Sequence, residues 1–119
     1  MFSSQVLDHF QSPRNVGDLD PADARAEVTN PVCGDVLRLT LRIENSIITE
    51  ARFRAQGCVP TVACGSALTE IVRGKSTTEA RSLDSSAIIA VLGNIPQASM
   101  HAAGLALEAL SSALKDWHK

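Results

Sequence analysis

Two thiols, a carboxylate and an imidazole are the groups in this chain best suited to holding a metal ion. Cys33-Gly34-Asp35 follows Pro31-Val32, Cys58 follows Gly57, and His101 follows Met100. Thiolate, imidazole and carboxylate are the ligand types of zinc and iron sites. Cysteine more commonly serves as a small buried hydrophobe, yet glycine-flanked loop positions make poor core sites. For Cys33 and Cys58 both readings stand. The third cysteine, Cys64, shares a helical row with Leu68 and Val72 and reads as a core residue. His101 lies roughly 160° from the apolar stripe of its own segment, at about 100° per residue. It is either an exposed histidine or one that faces a site at the helix start.

Other chemistries find little footing. Arg73-Gly74-Lys75-Ser76 resembles the tail of a phosphate-binding loop, but the first glycine of that pattern would fall on Thr69, at the end of a helical pattern and not after a strand. No Ser/His/Asp or paired-carboxylate arrangement is visible, so hydrolysis has no support and no enzymatic activity is expected. A thiol-redox role for Cys58 and Cys64 is open, and the apolar setting of Cys64 disfavours it.

These residues must be positioned by a small fold. At 119 residues the chain suits one domain, residues 1–119. An apolar fraction of 45% with 20% charged residues is that of a globular chain. With three Phe, one Trp and no Tyr, the core must come from Leu, Ile, Val and Ala. The formal charge of −2 without a basic run argues against nucleic acid or an anionic membrane as partner. No segment reaches the roughly 20 apolar residues of a membrane span, and residues 1–13 lack the pattern of a signal peptide. Three cysteines without an export signal point to reduced thiols in the cytoplasm.

Phe2, Val6, Leu7 and Phe10 recur at helical spacing until Pro13, and residues 12–17 form a turn. Residues 18–23 read as a loop and 24–29 as a short edge strand. Leu37, Leu39, Leu41 and Ile43 alternate with polar residues, as do Ala51, Phe53 and Ala55. This predicts an antiparallel hairpin of 36–43 and 47–55 around Glu44-Asn45-Ser46. After Cys58 the period becomes helical up to Gly74, with Ala63, Ala67, Ile71, Cys64, Leu68 and Val72 on one face. Short helices are expected at 77–82 and 85–92. A last helix after Pro96 carries a stripe of Ala103, Ala106, Leu107, Leu110, Leu114 and Trp117. The expected fold is α+β: a small antiparallel sheet of about three strands with helices on one face, the 98–117 helix covering Leu37, Leu39, Leu41, Ile43 and Phe53.

In a hairpin the start of the first strand neighbours the end of the second. Cys33, Asp35 and Cys58 are therefore expected at one end of the sheet. A helix N-terminus at Cys58 would favour its thiolate.

Asp8-His9-Phe10, Pro13-Arg14-Asn15-Val16-Gly17, Pro31-Val32-Cys33-Gly34-Asp35, Ala51-Arg52-Phe53, Gly57-Cys58, Leu68-Thr69-Glu70, Gly74-Lys75-Ser76 and Met100-His101 together resemble the NifU/IscU scaffold domain over essentially the whole chain. The resemblance implies a protein that receives sulfur from a cysteine desulfurase, assembles a [2Fe–2S] cluster from iron, and passes it to recipient apo-proteins. It implies Cys33, Asp35, Cys58 and His101 as ligands of cluster or iron, with zinc in the same site of the apo form. A monomer or small homo-oligomer is expected.

Two departures stand out. Where the family has a third cysteine after the histidine, implied to accept the persulfide sulfur, this chain has Ala102. The Leu-Pro-Pro-Val-Lys segment by which a dedicated chaperone recognises some members reads Ile95-Pro96-Gln97-Ala98-Ser99, so that partnership is not implied. The alternative to a cluster scaffold is therefore a zinc-binding module that keeps a desulfurase-binding surface and builds no cluster.

Overall fold

The computed structural model describes residues 2–31, 34–115 and 117. Cys33 lies outside the described residues. The elements run α1 (Ser4–Gln11), β1 (Ala24–Asn30), β2 (Asp35–Glu44), β3 (Ile47–Gln56), α2 (Val59–Val72), α3 (Thr77–Arg81), α4 (Ser85–Leu92) and α5 (Met100–Lys115), with a 3-10 turn at Gln97–Ser99. The three strands form one antiparallel sheet in the order β1-β2-β3, so the α+β expectation holds.

The hairpin follows from its turn and its pattern. Asn45 and Ser46 both take positive φ, at 53° and 64°, in the two-residue loop between paired Glu44 and Ile47. That conformation matches the strand twist, and Asn tolerates it better than most residues. The turn, with a one-residue shift in the pairing between Arg42 and Ile43, sets a register in which Leu39 faces Phe53, Leu41 faces Ala51 and Leu37 faces Ala55. Leu37, Leu39, Leu41, Ile43 and Phe53 are all buried on the helix-covered face. Full burial of each is worth about 1.5–3 kcal/mol.

Two helices share that face, the expected last helix and the one after Cys58. α5 packs over β1 and β2, and α2 packs over β3. Phe53 lies under α2: a Cβ on Gly65 would meet its ring at 2.7 Å, so glycine is what lets the helix approach. α5 is also covered by α2, α3 and α4. Its buried set is therefore wider than a simple stripe, taking in Ala102, Leu105, Ala109 and Ala113, while Leu107 and Trp117 are only half-buried.

α1 is rotated from the expected orientation. Val6 and His9 face inward, whereas Leu7 and Phe10 are 40% and 38% exposed. A polar residue takes the inward place because it finds a partner there. His9 Nδ1 lies 2.7 Å from Ser66 Oγ of α2, and Ser66 Oγ also accepts the Arg14 backbone N–H at 2.9 Å.

The outer face of the sheet is polar. Arg38 and Arg54 sit directly opposite each other, a destabilising pairing on its own. Asp18, from the loop crossing this face, bonds Arg54 at 2.7 Å and Arg38 at 3.3 Å. The Arg54 hydrogen bond and the neighbouring guanidinium charges hold the Asp18 carboxyl below its ordinary range. Residues 15–17 bond back to Phe53 and cover the free edge of β3. Among the described residues, no helix is long and apolar enough to cross a membrane.

Candidate metal centre

The last rung of the hairpin ladder pairs Val36 with Gln56. Asp35 and Gly57 are the next residues out on the two strands, and Cys58 follows as the N-cap of α2. Cys58 makes no side-chain capping bond, Pro60 lies in the first turn, and the cysteine is exposed. The sulfur is therefore available at the helix start. α5 runs over β1 and β2 and begins beside this end of the sheet, which brings His101, in its first turn, to Asp35.

Asp35 organises the cluster. Its residue is only 3% exposed. Oδ1 is turned against Gly57, where a Cβ would lie 2.3 Å from it. Oδ2 is turned the other way, toward three groups. Thr61 Oγ1 donates to it at 3.0 Å, Cys58 Sγ lies at 3.8 Å, and His101 Nε2 at 3.5 Å. One ligand atom each from Asp35, Cys58 and His101 fall within 4.8 Å of one another.

These distances suit a shared ion. Ligands at about 2.0–2.3 Å from a tetrahedral metal stand about 3.3–3.8 Å apart. The histidine is also oriented for it. His101 Nδ1 lies 3.2 Å from the Ala98 carbonyl, a contact that is a hydrogen bond when Nδ1 is the donor. The other ring nitrogen, Nε2, is the one that faces Asp35 Oδ2. Metal-ligating histidines commonly anchor their other nitrogen on a carbonyl in this way.

Of the four residues the sequence nominates, Asp35, Cys58 and His101 come together, and Cys33 lies outside the described residues. Cys64 is fully buried, and burial, with Cys58 nearby, pushes its thiol up to about 12. It belongs to the core, and Cys58 and Cys64 are both free thiols. Ala102 is fully buried beside His101. Ser76, the end of the loop-like segment, caps α3 in a reciprocal capping box with Glu79.

Sequence reading missed Thr61 and the role of Gly57. Thr61 is fully buried, and its hydroxyl also lies 3.3 Å from Cys58 Sγ. A signal was present: Thr61 stands three residues after the N-cap cysteine, the spacing at which side chains meet across the first turn of a helix.

The fold and site together define an α+β domain with a ligand cluster at one end of a three-stranded sheet. Residues 1–119 match the NifU-like N terminal domain, and the chain belongs to that family. It is 38% identical over 119 residues to the iron–sulfur cluster assembly scaffold protein IscU 1 of Archaeoglobus fulgidus, covering 100% of this chain and 78% of that one. It is 40% identical over 118 residues to IscU of Aquifex aeolicus, covering 98% and 75%. With IscU of Haemophilus influenzae it shares 38% over 120 residues, 98% and 94% of the two chains. Among solved structures, the nitrogen-fixing NifU-like N-terminal protein of Brucella abortus has the same fold, with a TM-score of 0.76 at 18% identity over 95% of this chain and 91% of that one.

Proposed function

We propose that this chain is an iron–sulfur cluster assembly scaffold, a single domain of residues 1–119. It holds iron or a [2Fe–2S] cluster as cargo through Cys33, Asp35, Cys58 and His101. Kinship with the IscU scaffolds supports the role, and the gathering of Asp35, Cys58 and His101 within 4.8 Å is the observation that carries the ligand assignment. On this reading a cysteine desulfurase supplies sulfur, recipient apo-proteins take the cluster, and the protein works in the cytoplasm without catalysing a reaction of its own, as a monomer or small homo-oligomer.

The chain's residues would act by presentation. Cys58 offers an exposed sulfur, His101 an imidazole whose other nitrogen rests on the Ala98 carbonyl, and Asp35 one carboxylate oxygen. Cluster irons are held mainly by thiolates, and histidine in place of cysteine raises the reduction potential.

Ala102 favours a second reading. Two thiolates, an imidazole and a carboxylate make an ordinary closed zinc site. A zinc-binding, desulfurase-interacting module fits this ligand set without a third cysteine. Anaerobic reconstitution with iron, sulfide and a desulfurase, followed by metal analysis and visible spectroscopy, separates the two. The scaffold reading predicts a coloured, iron- and sulfide-containing product, and a colourless zinc protein would support the module.

A further inference from the structure

Thr61 is a polar residue with no exposed surface that contacts two of the nominated ligands at once. Its hydroxyl donates to Asp35 Oδ2 at 3.0 Å and stands 3.3 Å from Cys58 Sγ. Burying a hydroxyl is unfavourable unless it is bonded, and both of its side-chain bonds are to these ligands. Gly57 and Thr61 thus hold the carboxyl from two sides. The first leaves room for Oδ1, and the second ties down Oδ2, the oxygen that faces Cys58 and His101.

We propose that Thr61 is the positioning residue of this centre: it fixes Asp35 as a one-oxygen ligand, and so sets how tightly metal is held. The proposal rests on the reading of Asp35 and Cys58 as ligands. An Oδ2 lone pair not used by Thr61 remains for an ion, so the hydrogen bond and the metal bond coexist on one oxygen. Without the hydroxyl, Oδ2 loses the bond that fixes its direction, and the cost of orienting it falls on metal binding. Outer partners of this kind are worth about 10–100-fold in metal affinity.

The test is anaerobic cobalt(II) titration of the full chain, read by the thiolate-to-cobalt charge-transfer absorption, in wild type, Thr61→Val and Thr61→Ser. Thermal unfolding of each metal-free protein checks that it is folded. Thr61→Val should weaken cobalt about 10–100-fold while keeping the charge-transfer band, and Thr61→Ser should restore affinity. In the Asp35→Asn background, Thr61→Val should have a much smaller effect, because the group it positions has been altered. An equal loss in both backgrounds, or affinity unchanged in Thr61→Val, would overturn the role of Thr61 while leaving the ligand assignment intact. Wild type binding cobalt without a charge-transfer band would overturn the ligand assignment, and this inference with it. Should Thr61→Val fail to fold, Thr61→Ser compared with Thr61→Ala decides by the same criteria.

Discussion

Gly57 and Asp35 fit together only because residue 57 has no side chain: a Cβ there would lie 2.3 Å from Oδ1 and 2.8 Å from Cγ of Asp35. The carboxyl is packed against the backbone that leads directly to Cys58. Gly57→Ala must push the carboxyl out of place, at an overpacking cost of about 1–3 kcal/mol. Urea unfolding should show the lost stability, and competition with a zinc chelator should show weaker binding. Zinc binding at wild-type strength would mean that Asp35 contributes no ligand.

Cys64 carries a different expectation. Its thiol sits in an apolar row, so Cys64→Ser places a hydroxyl there at a cost of about 1–3 kcal/mol if unpaired, with metal content unchanged. The raised thiol value also fixes a pH dependence. The folded protein holds this proton more tightly than the unfolded chain, so its contribution is complete below 9.0 and is lost as pH rises toward about 12. Stability measured above pH 9.0 should fall less steeply in Cys64→Ala than in wild type.

His9 reports at the other end of the scale. Burial, then the charge of Arg14, holds its imidazole below 6.5, against the smaller opposing pull of Glu70 and Asp8. The unfolded chain therefore takes up the proton first as pH falls. Stability is fully present above 6.5 and declines below it until the folded imidazole also protonates. His9→Gln should cost stability at neutral pH, through its bond to Ser66, and should flatten this acid slope in urea titrations.

Ala102, at the position where the resemblance implies a third cysteine, is fully buried. Ala102→Cys should add a thiol next to His101, lengthen the lifetime of a reconstituted cluster and restore sulfur transfer from a desulfurase. Because the position is packed, the variant should also lose about 1–3 kcal/mol of apo stability. Wild type holding a cluster as durably as the variant would make the missing cysteine irrelevant.

The hairpin was legible because its alternation has a period no helix can satisfy, and its turn residues tolerate positive φ. From that register the meeting of Asp35 with Cys58 followed. His101 was harder, since only the packing of α5 across β1 and β2 decides which end of the sheet its first turn reaches. α1 misled because Leu7 and Phe10 are more apolar than His9, and hydropathy gives no sign of the Ser66 hydroxyl waiting on α2. Thr61 was invisible for the same reason, as a hydroxyl's value lies in the partners that tertiary structure brings to it.

On the proposed reading, two sulfurs, one imidazole and one carboxylate share a metal. X-ray absorption of the zinc-loaded wild-type protein tests it most directly. The expected spectrum has two sulfur ligands at about 2.3 Å and two nitrogen or oxygen ligands at about 2.0–2.2 Å, with one sulfur lost in Cys58→Ala and one in Cys33→Ala. A zinc shell of nitrogen and oxygen alone, or a sulfur count unmoved by either substitution, would contradict it.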